Sequence, residues 1–431
     1  MLGQRLPSLL ARQATPALLA LAVALPIGCK NGTAPTTQTL QLSVESGNGQ
    51  TGLVGYPLNL RPAVRVRDAS NAAVQGVQVT FAVASGGGTL TGASATTDAA
   101  GVARAGNWTV QLGVNTLTAT ASGTGVTATP LTFTATGMAP GFSIALQYLS
   151  AVPPSRQAAF DSAGAFWQRL IFGDLPDIVF SAGDSIPPGT CGANSPTIKT
   201  TIDDLLILVT LDSIDGPGKV LGQAGPCYVR VPGTLPLLGI MHFDTADVAS
   251  LAANGLLQSV VLHEMGHVLG FGSLWGSDGL NLLVGPADSG GTDPHFIGQQ
   301  AITEFDANGG SAYSGGAKVP VENCLSPPPG LTCGAGQQDG HWRETVFANE
   351  LMTPYLNSGT NPLSAISTAA MGDEGYLVNY AASQDYVVAH PLTAPSAAEP
   401  QTMIDLRDDL VRLPIFGVDR GGRLVGVVRP R

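Results

Sequence analysis

The chain has 431 residues, which at roughly 150 residues per domain is enough for two or three domains and for a core that needs no disulfide scaffold, so a peptide hormone or small toxin is excluded. Charged residues make up only 12 % of it, against about 25 % in ordinary soluble proteins, while Gly 55 and Pro 31 together form a fifth of the chain, a turn-rich composition that fits a β-containing extracellular protein. The net charge is −11 and no block of Lys or Arg occurs, so nothing offers an electrostatic footprint to a phosphate backbone, and nucleic acid is excluded as a partner.

Residues 1–28 carry Arg5 and Arg12, no acidic residue, and an apolar run from Ala17 to Ile27 that ends in Gly28, the pattern of a secretory signal peptide. That run is shorter than the roughly 20 residues a bilayer-spanning helix needs, and no later segment is apolar for that length, so the mature chain is not expected to span a membrane. Leu25-Pro26-Ile27-Gly28-Cys29 resembles a bacterial lipobox, although Pro26 departs from it. The resemblance implies lipidation of Cys29; the alternative is an incidental cysteine beside an ordinary cleavage site. Residues 29–39 then read as a Thr-rich tether. The expected location is a lipid-anchored cell-surface or outer-membrane one, or otherwise secretion.

From residue 40 to 137 apolar residues alternate with polar ones, as in Val64/Val66, Val77/Val79/Phe81/Val83 and Leu131/Phe133/Ala135, which puts each set on one face of a strand. Turn residues such as Asp68-Ala69-Ser70-Asn71 and Ser85-Gly86-Gly87-Gly88 separate the runs, and strands recur about every ten residues, the spacing of an all-β sandwich. The stretches Val64-Arg65-Val66-Arg67-Asp68, Val74-Gln75-Gly76-Val77-Gln78-Val79-Thr80-Phe81, Thr97-Asp98 before Gly101, and Gly113-Val114-Asn115-Thr116-Leu117 resemble the bacterial Ig-like domains of invasin- and intimin-type surface proteins. The resemblance implies an Ig-like spacer or adhesive module without catalytic residues. The segment contains no His and no Cys.

After Met138-Ala139-Pro140-Gly141 the composition changes: all six His and four of the five Cys lie between Cys191 and His390. Residues 138–390 read as a mixed α and β unit, with a helical period from Ala158 to Leu170 and strands at Ile178 to Phe180 and Leu205 to Leu211. Cys191, Cys227, Cys324 and Cys333 are an even number in an exported chain, so two disulfides are expected. Four cysteines allow three pairings, of which the shortest loops join Cys191 with Cys227 and Cys324 with Cys333. None of them shows the close CxxC spacing of a structural zinc site.

His263-Glu264-Met265-Gly266-His267 is an HExxH sequence. Leu257, Val261, Met265 and Val268 have a helical spacing around it, and Gly270 and Gly272 supply a stop. Residues four apart on a helix lie one turn above each other, so both imidazoles aim at one point, as zinc ligands about 2 Å from the ion. Such a site keeps a position for water, whose pKa the ion brings from about 15.7 towards 7, and Glu264 stands beside it as general base. A catalytic zinc takes a third protein ligand. By spacing alone His295 could supply it, and Glu304, Glu322 or Glu344 would do so in a glutamate-ligated site. His242, within Leu238 to Phe243, and His390 are weaker candidates.

The sequence from His263 to Gly272, with HExxH followed by Gly270 but with Ser273 where most metzincins carry the third His, resembles leishmanolysin-like metalloproteases, which have a long insertion at that point. A second block, Gly340-His341-Trp342-Arg343-Glu344 followed by Asn349-Glu350-Leu351-Met352-Thr353-Pro354, resembles the same family's third-ligand and Met-turn region. The resemblance implies an α+β metzincin-type domain in which His341 is the third zinc ligand and Met352 packs beneath the ion without binding it. Tyr355, three residues after Met352, reads as a wall residue, the alternative being contact with the transition state; Pro362 to Met371 reads as the closing helix, and Asp278, Asp288, Asp293 and Asp306 as solvated loop charges without calcium-loop spacing. Residues 391–431 form a tail, with Asp405 to Arg412 helical, a hairpin from Leu413 to Val428 around Arg420-Gly421-Gly422, and no site.

The expected function is that of an exported zinc metalloendopeptidase acting on protein or peptide substrates. The alternative is a surface adhesin with an inactive protease-like domain.

Overall fold

In the computed structural model of the chain, residues 38–325, 333, 337–357, 359–388 and 403–429 are described; the expected signal peptide, Cys29, the tether as far as Thr37, and His390 lie outside them. No helix among the described residues is long and apolar enough to cross a membrane.

The N-terminal unit is all β. Its first strand, Gln38–Ser46, begins inside the stretch read as a tether and sits in a four-stranded sheet between Val126–Ala128 and Ala63–Asp68, with Val102–Arg104 at the far edge. A five-stranded sheet runs Gln50–Leu53, Leu131–Met138, Gly113–Ser122, Gln78–Ser85, Ser94–Thr96. The alternation seen in the sequence is what joins the two sheets: Val64 and Val66 from one, and Val79, Phe81, Leu117, Phe133 and Ala135 from the other, enter one apolar core around Trp108.

The second unit is α+β, built on a six-stranded sheet. In chain order its strands are β1 (Ile144–Tyr148), β2 (Leu205–Asp212), β3 (Gly222–Arg230), β4 (Pro236–Asp244), β5 (Ile415–Val418) and β6 (Leu424–Arg429), arranged β1-β2-β4-β3-β5-β6. β3 runs antiparallel to β4, and β5 lies parallel to β3. The stretch read as a tail therefore completes the sheet, and its hairpin is present. Two expectations fail locally. Residues 405–412 form no helix, because Ile404–Asp405 pairs with Tyr355–Leu356 instead. Ile178 makes only an isolated bridge to Ile202, in a Pro- and Gly-rich excursion that the Cys191–Cys227 disulfide ties to β3. The second disulfide joins Cys324 to Cys333.

Helices α1 (Pro154–Leu170), α2 (Thr245–Ala253) and α3 (Leu257–Leu269) cover one face of the sheet. Phe160 and Trp167 of α1, Met241 and Phe243 of β4, and Val260, Val261 and Val268 of α3 are buried together. The close approach needs Gly239, where a Cβ would lie 2.5 Å from Val268 Cγ1. On the other face, Leu238 and Ile240 pack with the Cys191–Cys227 disulfide. Trp167 Nε1 donates to the Leu262 carbonyl at 3.0 Å, which fixes α1 against α3.

Asp244 ends β4 and caps α2, so it sets where the chain turns towards α3. Its Oδ1 accepts from Ala246 N at 2.8 Å and its Oδ2 from the amides of Ile214, Asp215 and Gly216 at 2.8, 3.0 and 3.1 Å. Burial pushes this carboxyl up, but the four backbone donors outweigh it and hold it at about 2. A depressed carboxyl stabilises the fold above its unfolded pKa and loses that contribution as pH falls towards the folded value. Asp244→Ala should therefore cost about 2 kcal/mol at pH 7, through the lost cap and stranded amides. Urea unfolding of wild type and variant should show that gap narrowing from pH 4 to pH 2; a gap independent of pH refutes the assignment.

Candidate metal centre

α3 is buried on all sides over its C-terminal part, since from Val260 to Leu269 every residue is buried, including His263, Glu264 and His267. The two histidines face one way because they are four apart. His263 Nδ1 donates to the Leu351 carbonyl at 2.7 Å and His267 Nδ1 to the Phe271 carbonyl at 2.8 Å. A carbonyl can only accept, so each ring carries its proton on Nδ1 and turns a bare Nε2 lone pair inward.

His341 comes from the far end of a long excursion after α3, and three features bring it in. Gly270 ends the helix with φ +126°, and Gly272, at φ +69°, allows the Gly340 carbonyl to pass so close that a Cβ there would lie 1.9 Å from its oxygen. A group of rings, Phe271, Trp275, Phe296, Trp342 and Phe347, packs with neighbouring centroids 4.5 to 5.7 Å apart and joins the loop after α3 to the residue after His341. Arg343 is buried and spends its guanidinium on the carbonyls of Val321 and Pro294 and on Asp293. His341 Nδ1 donates to the Gln337 carbonyl at 3.2 Å, so its Nε2 also points inward.

Met352 lies under α3. A Cβ on Gly266 would be 2.7 Å from Met352 Cε and 3.1 Å from its Sδ, so the glycine between the two helical histidines makes room for the thioether. The turn carrying Met352 is held by Glu350, whose buried carboxylate accepts from Met352 N at 2.6 Å and from Ser364 N, Ser364 Oγ and Ser367 Oγ. Ser364 caps the helix Ala365–Glu374, which starts slightly later than the spacing predicts. The sequence block around Met352 includes Glu350 but not its part in the turn.

The fourth member comes from the C-terminal stretch, where no site is expected from the sequence. Asp409 Oδ2 lies 2.9 Å from His263 Nε2, 3.0 Å from His341 Nε2 and 3.5 Å from His267 Nε2. The three Nε2 atoms are themselves 3.0 to 3.2 Å apart. Four bonds of about 2 Å in a tetrahedron would space their donor atoms about 3.3 Å apart, so this set has the dimensions of a tetrahedral metal shell. Its chemistry agrees. Three lone pairs and a carboxylate oxygen face one point, and with each Nδ1 proton already committed to a carbonyl, a cation is what makes that arrangement favourable. These four residues form a buried group that can hold a metal ion.

Burial, the largest effect on His263, pulls it down to about 4 and keeps it in the neutral form that binds metal. Glu264 is pushed well up by burial and then by the negative charge of Asp409. Both of its carboxyl oxygens are buried without a hydrogen-bond partner among the described residues, as is Asp409 Oδ1. His263, Glu264, His267, His341 and Asp409 all have 0 % exposure, so the centre is closed to solvent. A cavity of about 530 Å³ lies elsewhere, between the two units, lined by Asn59, Leu60, Phe172, Gln300, Tyr376 and Tyr380 among others.

The other candidates stand apart from the centre. His295 Nδ1 bonds the Asp293 carbonyl in a small three-stranded sheet. His242 pairs with Asp212, and its neighbours Met241 and Phe243 point to the α3 side while it points away. Glu322 accepts from the amides of Cys324 and Glu344, Glu304 lines the cavity between the units, and burial pushes Glu344 up to about 8. Tyr355 is buried, with its hydroxyl accepting from Gln337 Nε2 at 3.2 Å. Asp293 is paired with Arg343 and Lys318, and Asp288 with Arg412.

No family model matches the sequence, and no curated protein matches it. Among solved structures, domains 4 and 5 of the S-layer protein SbsC match at 14 % identity and a TM-score of 0.18, covering 24 % of this chain and 47 % of theirs. The D00-D0 domain of intimin matches at 19 % identity and a TM-score of 0.17, covering 24 % of this chain and 50 % of its own. A longer SbsC structure, domains 4–9, matches at 12 % identity and a TM-score of 0.18, covering 47 % of this chain and 31 % of its own. The chain spans half or less of the length of each.

Because Gly272 combines a left-handed φ with contact to the Gly340 carbonyl, Gly272→Ala should push the segment bearing His341 away from α3. Zinc affinity measured by chelator competition should fall at least tenfold while the α3 pair His263 and His267 is untouched; unchanged affinity in a folded variant refutes this account of how the third histidine is placed.

Proposed function

We propose that this chain is an exported zinc-dependent endopeptidase, with a leishmanolysin-like, metzincin-type catalytic unit carried behind an Ig-like spacer. The observation that carries the reading is Glu264: a carboxyl without a hydrogen-bond partner among the described residues, one residue from His263, beside three histidines whose Nδ1 protons are all tied to carbonyls. A purely structural metal site has no use for a buried carboxyl left without a hydrogen bond, which costs free energy in the folded state. Two disulfides support an oxidising compartment, and lipidation at Cys29 remains part of the proposal.

His263, His267 and His341 would hold the zinc, and the donor set fits it in type, number and spacing. When bound, the ion supplies Lewis acidity, lowering the pKa of a water towards 7 and polarising a carbonyl. The remaining work falls to this chain's own groups. Glu264 takes a proton from the attacking water, so that the oxygen adds to the scissile carbonyl carbon. The same carboxyl then gives that proton to the amide nitrogen as the C–N bond breaks, so one water is consumed and a carboxylate and an amine are released. Burial raises the proton affinity of Glu264 and suits both halves of the transfer. The carbonyls of Leu351, Phe271 and Gln337 keep the three rings from turning, and Met352 packs under the helix that carries two of them.

A second reading is favoured by one observation, the closure of the site by a fourth protein ligand, as in structural zinc centres. In it the chain is a surface adhesin whose protease-like unit is inactive. The two readings part in an assay of casein hydrolysis by the zinc-loaded full chain, run in the Asp409→Ala background so that the fourth position is free. Glu264→Gln added to that background should lower the rate by about 10²- to 10⁴-fold with zinc content unchanged. Equal rates with and without Glu264, at equal zinc content, leave the adhesin reading standing.

A further inference from the structure

Asp409 does not reach the centre from a neighbouring loop by accident of packing; it is delivered by a segment laid across the site. Ile404–Asp405 pairs with Tyr355–Leu356, directly after the turn of Met352, and Leu406 N donates to the Pro354 carbonyl at 3.0 Å. The chain then crosses to β3. Ala224 N donates to the Asp409 carbonyl at 2.7 Å, Val411 N donates to the Ala224 carbonyl at 2.9 Å, and Gln223 Nε2 donates to the Asp408 carbonyl at 2.9 Å. Gly225 lets the segment lie close, since a Cβ there would be 3.3 Å from the Val411 oxygen. Residues 404–411 are thus held to two backbones at their ends, 404–406 on one side and 409–411 on the other, with a turn at Arg407-Asp408 between them and a carboxylate at the point where the histidines converge.

Resting on the zinc peptidase reading, we infer that residues 404–411 occupy the substrate cleft of this same site, that Asp409 fills the position a water or scissile carbonyl would take, and that the chain is latent until the segment is displaced. Three physical points support this. Main-chain bonding to the free side of a sheet strand is how extended polypeptides are recognised, and the partner groups used here belong to Ala224 on one wall and Pro354 to Leu356 on the other. A catalytic zinc centre needs an open position, and the carboxylate closes it. The base Glu264 is in place without a hydrogen-bond partner among the described residues, and the five polar side chains are all buried. The cleft so defined takes an extended stretch of polypeptide, and an acidic side chain at the position of Asp409 would act as an inhibitor by binding the ion.

The test uses the full chain loaded with cobalt(II), whose visible absorption reports ligand exchange, and acetohydroxamate as a probe for a free metal position. Asp409→Ala should keep one metal per chain, bind acetohydroxamate at least tenfold more tightly than wild type, and hydrolyse an extended peptide at least tenfold faster. Asp409→Asn, which conserves shape, should move in the same direction by a smaller factor and guards against a folding defect in the alanine variant. Equal acetohydroxamate affinity in wild type and both variants, with metal retained, overturns the inference. Loss of metal from both variants while they remain folded also overturns it, because Asp409 is then a permanent structural ligand. Tighter probe binding without any hydrolysis upholds the occupancy of the metal position and counts against the peptidase reading alone.

Discussion

Everything about the second unit follows from the need to aim three imidazole Nε2 atoms at one point and keep them there. Rings on flexible side chains do not converge to 3.0 to 3.2 Å of one another unless something holds them, and here each is held through its opposite nitrogen by a backbone carbonyl. Those carbonyls belong to Leu351, Phe271 and Gln337, three separate stretches of chain. The centre is therefore only as well ordered as the packing of those stretches on α3. That explains the density of large rings around Trp275 and Trp342 and the burial of Arg343 and Glu350, polar groups whose hydrogen bonds go to nearby backbone and side-chain partners instead of solvent. Burying polar groups is costly unless every partner is supplied, so such residues mark places where position matters more than stability.

What could be read from the sequence, and what could not, divides along sequence separation. Strand alternation in the first unit, the α3 stripe with its glycine stop, and the two blocks around His263 and Met352 are local patterns, and local patterns survive in a sequence because each residue's role is set by neighbours a few positions away. Asp409 meets His263 across a separation of 146 residues and has no motif around it. The spacing of Leu406 and Leu410 there imitates a helical turn, and what overrules it is pairing with Tyr355–Leu356 and with Ala224, partners that lie far away in the chain. Ile178 to Phe180 misleads for the same reason: a β-rich triplet makes a strand only where a neighbouring strand is available, and here Ile178 bridges Ile202 alone while the amides of Val179 and Ser181 bond the carbonyls of Arg420 and Gly421 in a turn.

The C-terminal hairpin shows how topology can serve several ends at once. β3 would otherwise be the outer strand of the sheet over its whole length, with a row of unpaired amides and carbonyls facing water. β5 pairs with its last residues, Tyr228 to Arg230, and the extended segment before β5 pairs near Ala224. Two stretches of one strand are covered by two stretches of the same tail, one regular and hydrogen-bonded in turn to β6, the other a single extended crossing.

The disulfide between Cys191 and Cys227 bears on this arrangement from behind. Cys227 lies in β3 between the two paired stretches, and its partner lies in the excursion packed on the sheet face opposite α3. A crosslink there removes freedom from the chain independently of what occupies the outer side of the strand. Its consequence is mechanical: β3 keeps its position as a rail whether or not a neighbour lies along it, so an incoming backbone would meet donors and acceptors already set at the right spacing and would not have to order them as it arrives.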